Sequence, residues 1–325
     1  MMSTESVFVV GGAGFIGSHV VDYLLARPNT KLVTSYDNLS SGREWHYAHH
    51  LSDPRFRMVR ADAKGLEALT KAMEGHEVVI HLASNPDIAR AMTEPDIDFR
   101  EGTVLTQNVA EAMRLTGARH ILYTSGSGVY GDLGETEVSE DHGPMIPIST
   151  YAASKLAGEA LMASYCSMFE LTAGVFRFAN VVGRRQTHGV GYDFVRSLLR
   201  DPACLRILGD GSQSKSYIHV QDVVTAMFLA HEKTTKRYEV YNVATGDYIS
   251  VKEIADLAVE CVGIEPGRTE YQFTGGRRGW KGDIPVVRLN TDRIRSLGWK
   301  CSMTSREALR ESMLSMVADL RAGRT

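Results

Sequence analysis

Glycines recur in the run Gly11-Gly12-Ala13-Gly14-Phe15-Ile16-Gly17, which lies between a β-rich stretch and a helical one. Glycine at 11, 14 and 17 permits a tight turn, a close backbone approach to a pyrophosphate, and close packing of helix on strand. The start of the following helix offers unpaired N–H groups and a favourable dipole to phosphate. Glycines alone also make plain tight turns, so the strand before and the helix after carry the reading. Asp37 stands twenty residues beyond Gly17, after a second β-rich run. A carboxylate there can bind both ribose hydroxyls of an adenosine and would repel a 2′-phosphate, which favours NAD over NADP. Arg43 works against that preference. Asp62 follows a third β-rich run and is placed either for the adenine edge or for a helix N-cap.

Tyr151 and Lys155 are four residues apart in Tyr151-Ala152-Ala153-Ser154-Lys155. On a helix this spacing puts both side chains on one face. An ammonium beside a phenol favours the phenolate, and an oxidised nicotinamide would add a second positive charge. Tyrosine then becomes a usable general base near neutral pH. The same spacing serves equally for a packed tyrosine and a solvated lysine.

These residues need a scaffold, and the first half of the chain has the pattern of one. Strands are expected over Val7–Val10, Lys31–Tyr36, Phe56–Arg60, Glu77–Leu82, His120–Thr124 and Thr172–Phe176. Helices are expected over Phe15–Arg27, Leu66–Glu74, Pro95–Leu115 and Ser149–Phe169. Strands alternating with helices imply parallel βαβ units covered on both faces, and right-handed crossovers give a doubly wound sheet. After Arg177 glycines and polar residues become frequent, with helices expected at Tyr192–Leu199, Val220–His231, Val251–Val262 and Ser305–Arg321. The expected architecture is α/β: a Rossmann domain over residues 1–176, also receiving part of 217–245, and a smaller mixed α/β substrate lobe over 177–325.

Composition narrows the function. The 325 residues, 43% of them hydrophobic, can bury a large core, and a formal charge of −3 gives no reason to expect a nucleic acid or a membrane as partner. No run approaches the roughly 18 apolar residues of a membrane span. The N-terminus lacks the features of a signal peptide. Cys166, Cys204, Cys261 and Cys301 are too far apart for CxxC metal spacing, and no metal is expected. Reduced thiols and a cytoplasmic location are the corresponding expectations.

The motifs GGAGFIG, YDNLSSG, RADA, HLAS, SGVYGD, YAASK, RFANVVG and LGDGSQ…SYIHVQDVV follow one another in the order found in extended short-chain dehydrogenase/reductases. The chain resembles that superfamily over nearly its whole length, and within it the UDP-glucose 4-epimerases and related NAD-dependent sugar-nucleotide epimerases. The resemblance implies that Tyr151 takes a proton from a sugar hydroxyl while hydride passes to NAD, and that the keto sugar turns and receives hydride on its other face. Lys155 would hold the nicotinamide ribose. Gly11, Gly14, Phe15, Ile16 and Gly17 match the pyrophosphate loop. Asp37, Asn38, Ser40, Ser41 and Gly42 match the ribose loop. Asp62 and Ala63 match the adenine contact, and Leu82, Ala83 and Ser84 the strand end beneath the cofactor. Asn180 matches the asparagine that touches the nucleotide diphosphate, Lys215 stands at a substrate-binding position where an arginine is common and is followed by Tyr217, and Arg278 and Asp283 match the late phosphate and ribose anchors. The resemblance also implies a homodimer formed through Pro95–Leu115 and Ser149–Phe169.

Departures from the family pattern matter. A Ser or Thr usually stands where this chain has Gly126, and Ser125 and Ser127 flank it, so either can supply the missing hydroxyl; Ser127 is the first choice. Sugar-nucleotide 4,6-dehydratases carry Asp-Glu where this chain has Ser127-Gly128. Val10 replaces a frequent threonine, and Gly102 replaces an asparagine that usually supports the cofactor region. The expected activity is therefore epimerisation, with C4 the expected carbon. A reductase, dehydrogenase or decarboxylase on the same scaffold, and a cofactor-binding regulator without catalysis, are the competing readings.

Overall fold

The computed structural model describes residues 5–324; residues 1–4, part of the stretch read above for the lack of a signal peptide, lie outside them, as does residue 325. The chain divides into two compact units. One comprises Met1–Val129, Thr150–Arg177 and Val224–Tyr241, and the other Tyr130–Ser149, Phe178–Val223 and Asn242–Thr325.

The first unit is built on a seven-stranded sheet. Its strands are β1 (Glu5–Val10), β2 (Thr30–Asp37), β3 (Phe56–Arg60), β4 (Val78–His81), β5 (His120–Gly126), β6 (Thr172–Phe178) and β7 (Tyr238–Val243). Their order is β7-β6-β5-β4-β1-β2-β3, and the pairs from β3 through β5 run parallel. Val7–Val10 and Val78–Ile80 are buried on both sheet faces, which is why those strands are unbroken apolar runs rather than alternating ones. The order reverses between β1 and β4. In open α/β sheets ligands bind beyond the carboxyl ends of the strands at such a reversal.

Helices α1 (Phe15–Leu25), α2 (Leu66–Met73), α3 (Leu105–Thr116) and α4 (Thr150–Phe169) belong to this unit, as does most of the helix Val220–Lys233, whose Phe228 stacks on Tyr23 of α1. Met73, Val109, Met113 and Met162 of α2, α3 and α4 share one core with Phe8, Tyr36, Ile121 and Val175 of the sheet. Each such side chain, fully buried, contributes roughly 1.5–3 kcal/mol. Helix α1 stops two residues short of the expected Arg27, because Pro28 disfavours helical backbone in the residue before it. The expected helix Pro95–Leu115 is corrected more substantially. Residues Phe99–Val104 are wound as π turns, and regular helix begins only at Leu105. Gly102 lies within the π turns, where a Cβ would sit 2.5 Å from Ser154 Oγ on α4. This close approach accounts for a glycine at that position. Gly117, with φ +79, ends α3 in the left-handed conformation that lacks a Cβ penalty.

The second unit packs helices Val190–Arg200, Val251–Val262 and Ser305–Arg321 around Val195, Leu198, Leu257, Leu309 and Met313. Ser250 with Glu253 and Thr304 with Glu307 form reciprocal capping boxes at two of these helices. Each cap contributes about 1 kcal/mol. Among the described residues, no helix is long and apolar enough to cross a membrane.

Candidate active site

The glycine run forms the turn between β1 and α1. Gly11 has φ +86, and a Cβ there would come within 2.8 Å of the Ala83 nitrogen. The Leu82 and Ala83 N–H groups both donate to Val10 O, at 2.9 and 3.1 Å, so the ends of β1 and β4 are sewn together beside the turn. A Cβ on Gly17 would lie 2.7 Å from Gly12 Cα, with Gly11 O closer still. Gly14 differs. Its Cβ would meet only Gly11 O, at 3.2 Å, and its other surroundings are open. No side chain caps α1 and no acidic residue lies in its first turn, which leaves the N-terminal N–H groups for an anion.

Asp37 closes the loop from the β2 side. Its two oxygens accept the N–H groups of Ala13 (3.0 Å) and Leu39 (2.7 Å). Burial pushes its carboxyl above the usual range, against the pull of the backbone N–H groups of Leu39, Ala13 and Gly14. Gly42 packs so tightly that a Cβ would be 2.9 Å from both Ala13 Cβ and Asp37 Oδ1. Asn38 and Ser40 are exposed at the rim, with Asn38 Oδ1 accepting the Ser40 N–H. Arg43 donates to the carbonyls of Ser41 and Gly42. Its N–H and the Nδ1 of buried His46 both reach Ala13 O, at 3.2 and 2.8 Å. His46 escaped sequence reading, since nothing in its neighbourhood signals a contact 33 residues away.

Asp62 is not the N-cap of α2; Gly65 holds that place without a side-chain bond. Asp62 instead accepts the Lys64 N–H at 2.8 Å and the Asn38 amide at 3.1 Å, which ties the ends of β2 and β3 together. Burial works against its charge, but these donors and the Lys64 ammonium hold the carboxyl below the usual range. Ala63 is buried beside it, and Leu82, Ala83 and Ser84 are half-buried beyond β4.

Tyr151 and Lys155 lie on the first turns of α4. The Thr150 hydroxyl donates to Asp98 Oδ2 at 2.6 Å, and Asp98 Oδ1 accepts the Asn85 amide at 2.9 Å. Buried Asp98 thereby ties the start of α4 to the segment following β4. Lys155 is 4% exposed; its Nζ donates to Thr124 O on β5 at 2.9 Å and lies 5.6 Å from the Tyr151 ring centre. Helix and sheet together present the two side chains at the carboxyl ends of β4 and β5. Beside Lys155, His81 is buried deeply enough to lower its ring to about 3. The imidazole is neutral, and its Nε2 is 2.9 Å from Thr106 Oγ1.

The two candidate serines differ in place: Ser125 lies in β5 and Ser127 opens the 3-10 turn Ser127–Tyr130 that follows it. Ser125 is buried and its hydroxyl donates to Glu159 at 2.6 Å. Glu159 is itself in a buried ion pair with Arg177, at 2.6 Å. Ser125 is therefore bound into a structural network. Ser127 is half-buried, and a Cβ on Gly126 would meet nothing within 4 Å. A Cβ on Gly128 would be 3.1 Å from Ala152 Cβ, so this loop lies against the turn that carries Tyr151.

In the second unit, Lys215 Nζ contacts Asp283 at 2.6 Å, and the Gly279 N–H donates to the other Asp283 oxygen at 3.0 Å. Arg278 pairs with Asp132 at 2.7 Å. Asn180 is exposed and donates its amide to Ser216 O. Tyr217 is packed in the core of this unit, and its N–H donates to Ser305 Oγ.

Residues 7–244 match the model of the NAD dependent epimerase/dehydratase family. The chain belongs to that family. The UDP-glucose 4-epimerase of Mycolicibacterium smegmatis is 34% identical over 312 residues, 94% of this chain and 96% of that protein. A crystal structure of a UDP-galactose 4-epimerase is 35% identical, with a TM-score of 0.85 over 97% of this chain and 99% of that one. A dTDP-glucose 4,6-dehydratase of Streptomyces griseus is 30% identical over 271 residues, 82% of each chain. This family member is thus an extended short-chain dehydrogenase/reductase resembling the UDP-glucose 4-epimerases, and an NAD-dependent enzyme of sugar nucleotides. Its first unit fits the cofactor: the open side of Gly14, the uncapped α1 and the buried Asp37 carboxylate suit a dinucleotide.

Proposed function

We propose that the protein interconverts the C4 epimers of a nucleotide-diphosphate sugar through a transient 4-keto sugar. The observation that carries this reading is Tyr151 and Lys155 on one face of α4, beside a β5 loop, Ser125-Gly126-Ser127-Gly128, that contains no acid. Elimination of water from the sugar needs an acid and a base at the next carbons, and this loop supplies neither. Oxidation and reduction at one carbon need only a single proton carrier at the oxygen.

Bound NAD supplies the hydride acceptor and donor. Tyr151 takes the proton of the C4 hydroxyl and returns it after the sugar has turned. Lys155, anchored by Thr124 O, holds the nicotinamide ribose and keeps its ammonium 5.6 Å from the Tyr151 ring centre. Ser127 donates a hydrogen bond to the reacting oxygen in place of the hydroxyl absent at Gly126. Gly11, Gly14, Phe15, Ile16 and Gly17 hold the pyrophosphate, and Asp37, Asn38, Ser40, Ser41 and Gly42 the ribose. Asn180, Lys215 and Arg278 bind the nucleotide diphosphate and Asp283 its ribose, with Tyr217 packed in the core of the second unit.

A homodimer accompanies this reading. Phe99, Leu115, Met168 and Phe169 are 61, 52, 70 and 40% exposed on the π turns, α3 and α4, an apolar set suited to a second copy.

The test is incubation with UDP-, dTDP-, GDP- and CDP-hexoses, with epimers resolved chromatographically and absorbance followed at about 340 nm for NADH. Epimer formation without net NADH, lost in Tyr151→Phe, is expected. Net reduction or oxidation of NAD, or a dehydrated or decarboxylated product, would replace the proposal with one of its competitors.

A further inference from the structure

We infer a divalent transition-metal site on the outer side of the Rossmann unit, formed by Asp22, His49 and His50. Asp22 lies on α1, and the two histidines on the 3-10 turn Ala48–His50. The Nε2 atoms of His49 and His50 point at the same oxygen, Asp22 Oδ1, at 2.9 and 2.6 Å. One donor atom from each residue lies within 4.8 Å of the other two.

The donor set decides the chemistry. One histidine beside one carboxylate is an ordinary polar contact. Two adjacent imidazoles converging through Nε2 on a single carboxylate oxygen have the form of a half-built metal centre. Zinc binds imidazole nitrogen and carboxylate oxygen at about 2.0–2.2 Å, which places tetrahedral donors roughly 3.3–3.6 Å apart. The present separations need to open by less than about 1 Å for an ion to replace the hydrogen bonds. Two imidazoles and a carboxylate suit Zn2+, Co2+, Ni2+ or Cu2+ rather than Mg2+ or Ca2+, which prefer all-oxygen shells.

Access and anchoring are both provided. The side chains of His49, Asp22 and His50 are 47, 30 and 16% exposed, so an ion can enter and keep water on its open positions. His50 is held against the Phe56 ring, with centres 5.8 Å apart, and Asp22 is fixed on its helix. The site is remote in sequence from every residue assigned to catalysis. It joins α1 to the segment whose Arg43 and His46 hold Ala13 O. A bound ion would therefore brace the glycine loop from behind.

The test uses the full-length protein, freed of metal with a chelator and dialysed, titrated calorimetrically with ZnCl2. One saturable Zn2+ per chain is expected, weakened about tenfold or more in His49→Ala, in His50→Ala and in Asp22→Asn. His49 is the most exposed of the three, so His49→Ala retains the fold, checked by metal-free melting. Co2+ should give the visible absorption of an imidazole-bound ion in the wild type and not in His49→Ala, and MgCl2 should not bind. No saturable binding up to about 1 mM Zn2+ would overturn the site, as would binding that none of the three substitutions weakens.

Discussion

Alanine at Gly14 and at Gly17 should separate cofactor binding from packing within one loop. A Cβ on Gly17 would lie 2.7 Å from Gly12 Cα and 3.0 Å from Gly11 C. Carbon pairs rest at about 3.5–4.0 Å, so the first turn of α1 must draw back from the loop by about 1 Å. Every obstructing atom is backbone, which cannot rotate aside. Overpacking of this kind costs about 1–3 kcal/mol, and the upper end applies here. At about 1.5 °C per kcal/mol for 325 residues, Gly17→Ala should lower Tm by about 4–5 °C. The Gly14 Cβ meets one atom, at 3.2 Å, and alanine at an N-cap is worse than glycine by about 0.5–1 kcal/mol. Gly14→Ala should therefore melt within about 2 °C of the wild type. Its methyl enters the open side where the pyrophosphate is proposed to lie, and the Kd for NAD should rise about tenfold to a hundredfold. Calorimetric melting and NAD titration of both variants read the two effects. If Gly14→Ala binds NAD as tightly as the wild type, the dinucleotide does not lie against the open side of Gly14.

Further outcomes concern the β5 loop, a buried imidazole and the apolar surface. Ser127→Ala should cut turnover by roughly 10²–10³, whereas Ser125→Ala should mainly lower the unfolding free energy, by about 1–3 kcal/mol, as Glu159 loses a donor. Unchanged turnover in Ser127→Ala would remove that serine from the mechanism. His81 is held neutral down to about 3 in the folded chain but protonates near 6.5 when unfolded. The unfolded state thus binds the extra proton between these values, and stability should fall as pH drops through that window, by up to about 1.4 kcal/mol per pH unit. His81→Gln should flatten that slope in denaturation curves taken from pH 7 to pH 4; an unaltered slope would contradict it. Met168→Glu combined with Phe99→Glu should give a monomer by sedimentation, and an undisturbed dimer would place the contact elsewhere.

Much of the first unit was legible because its signals are local. A strand end, a glycine triplet and a helix fall within one short run, and Tyr151 and Lys155 share a face through helical periodicity alone. Long-range partners were not legible. Asp98 reaches Thr150 and Asn85, and Glu159 reaches Arg177 and Ser125, only once the strands are side by side. That network is what distinguishes Ser125 from Ser127, which sequence left as alternatives. The π turns at Phe99–Val104 were hidden for a related reason. Apolar periodicity reports helix, but not the extra residue per turn that accompanies the close approach of Gly102 to Ser154. Tyr217 read as a substrate contact by position, yet lies in the core of the second unit.

The sheet is completed only after a long excursion of the chain, and this shapes how the protein must be made. Strand β6 ends at Phe178 and its outer neighbour β7 begins at Tyr238, 60 positions later (238 − 178). At a synthesis rate of about 5–20 residues per second, β6 emerges from the ribosome about 3–12 s before β7 does. Throughout that interval Ala173-Gly174-Val175-Phe176 presents an apolar edge with unmade hydrogen bonds, the kind of edge that recruits other chains. Ribosome stalling or premature termination between these two strands would leave a nascent polypeptide dependent on chaperones.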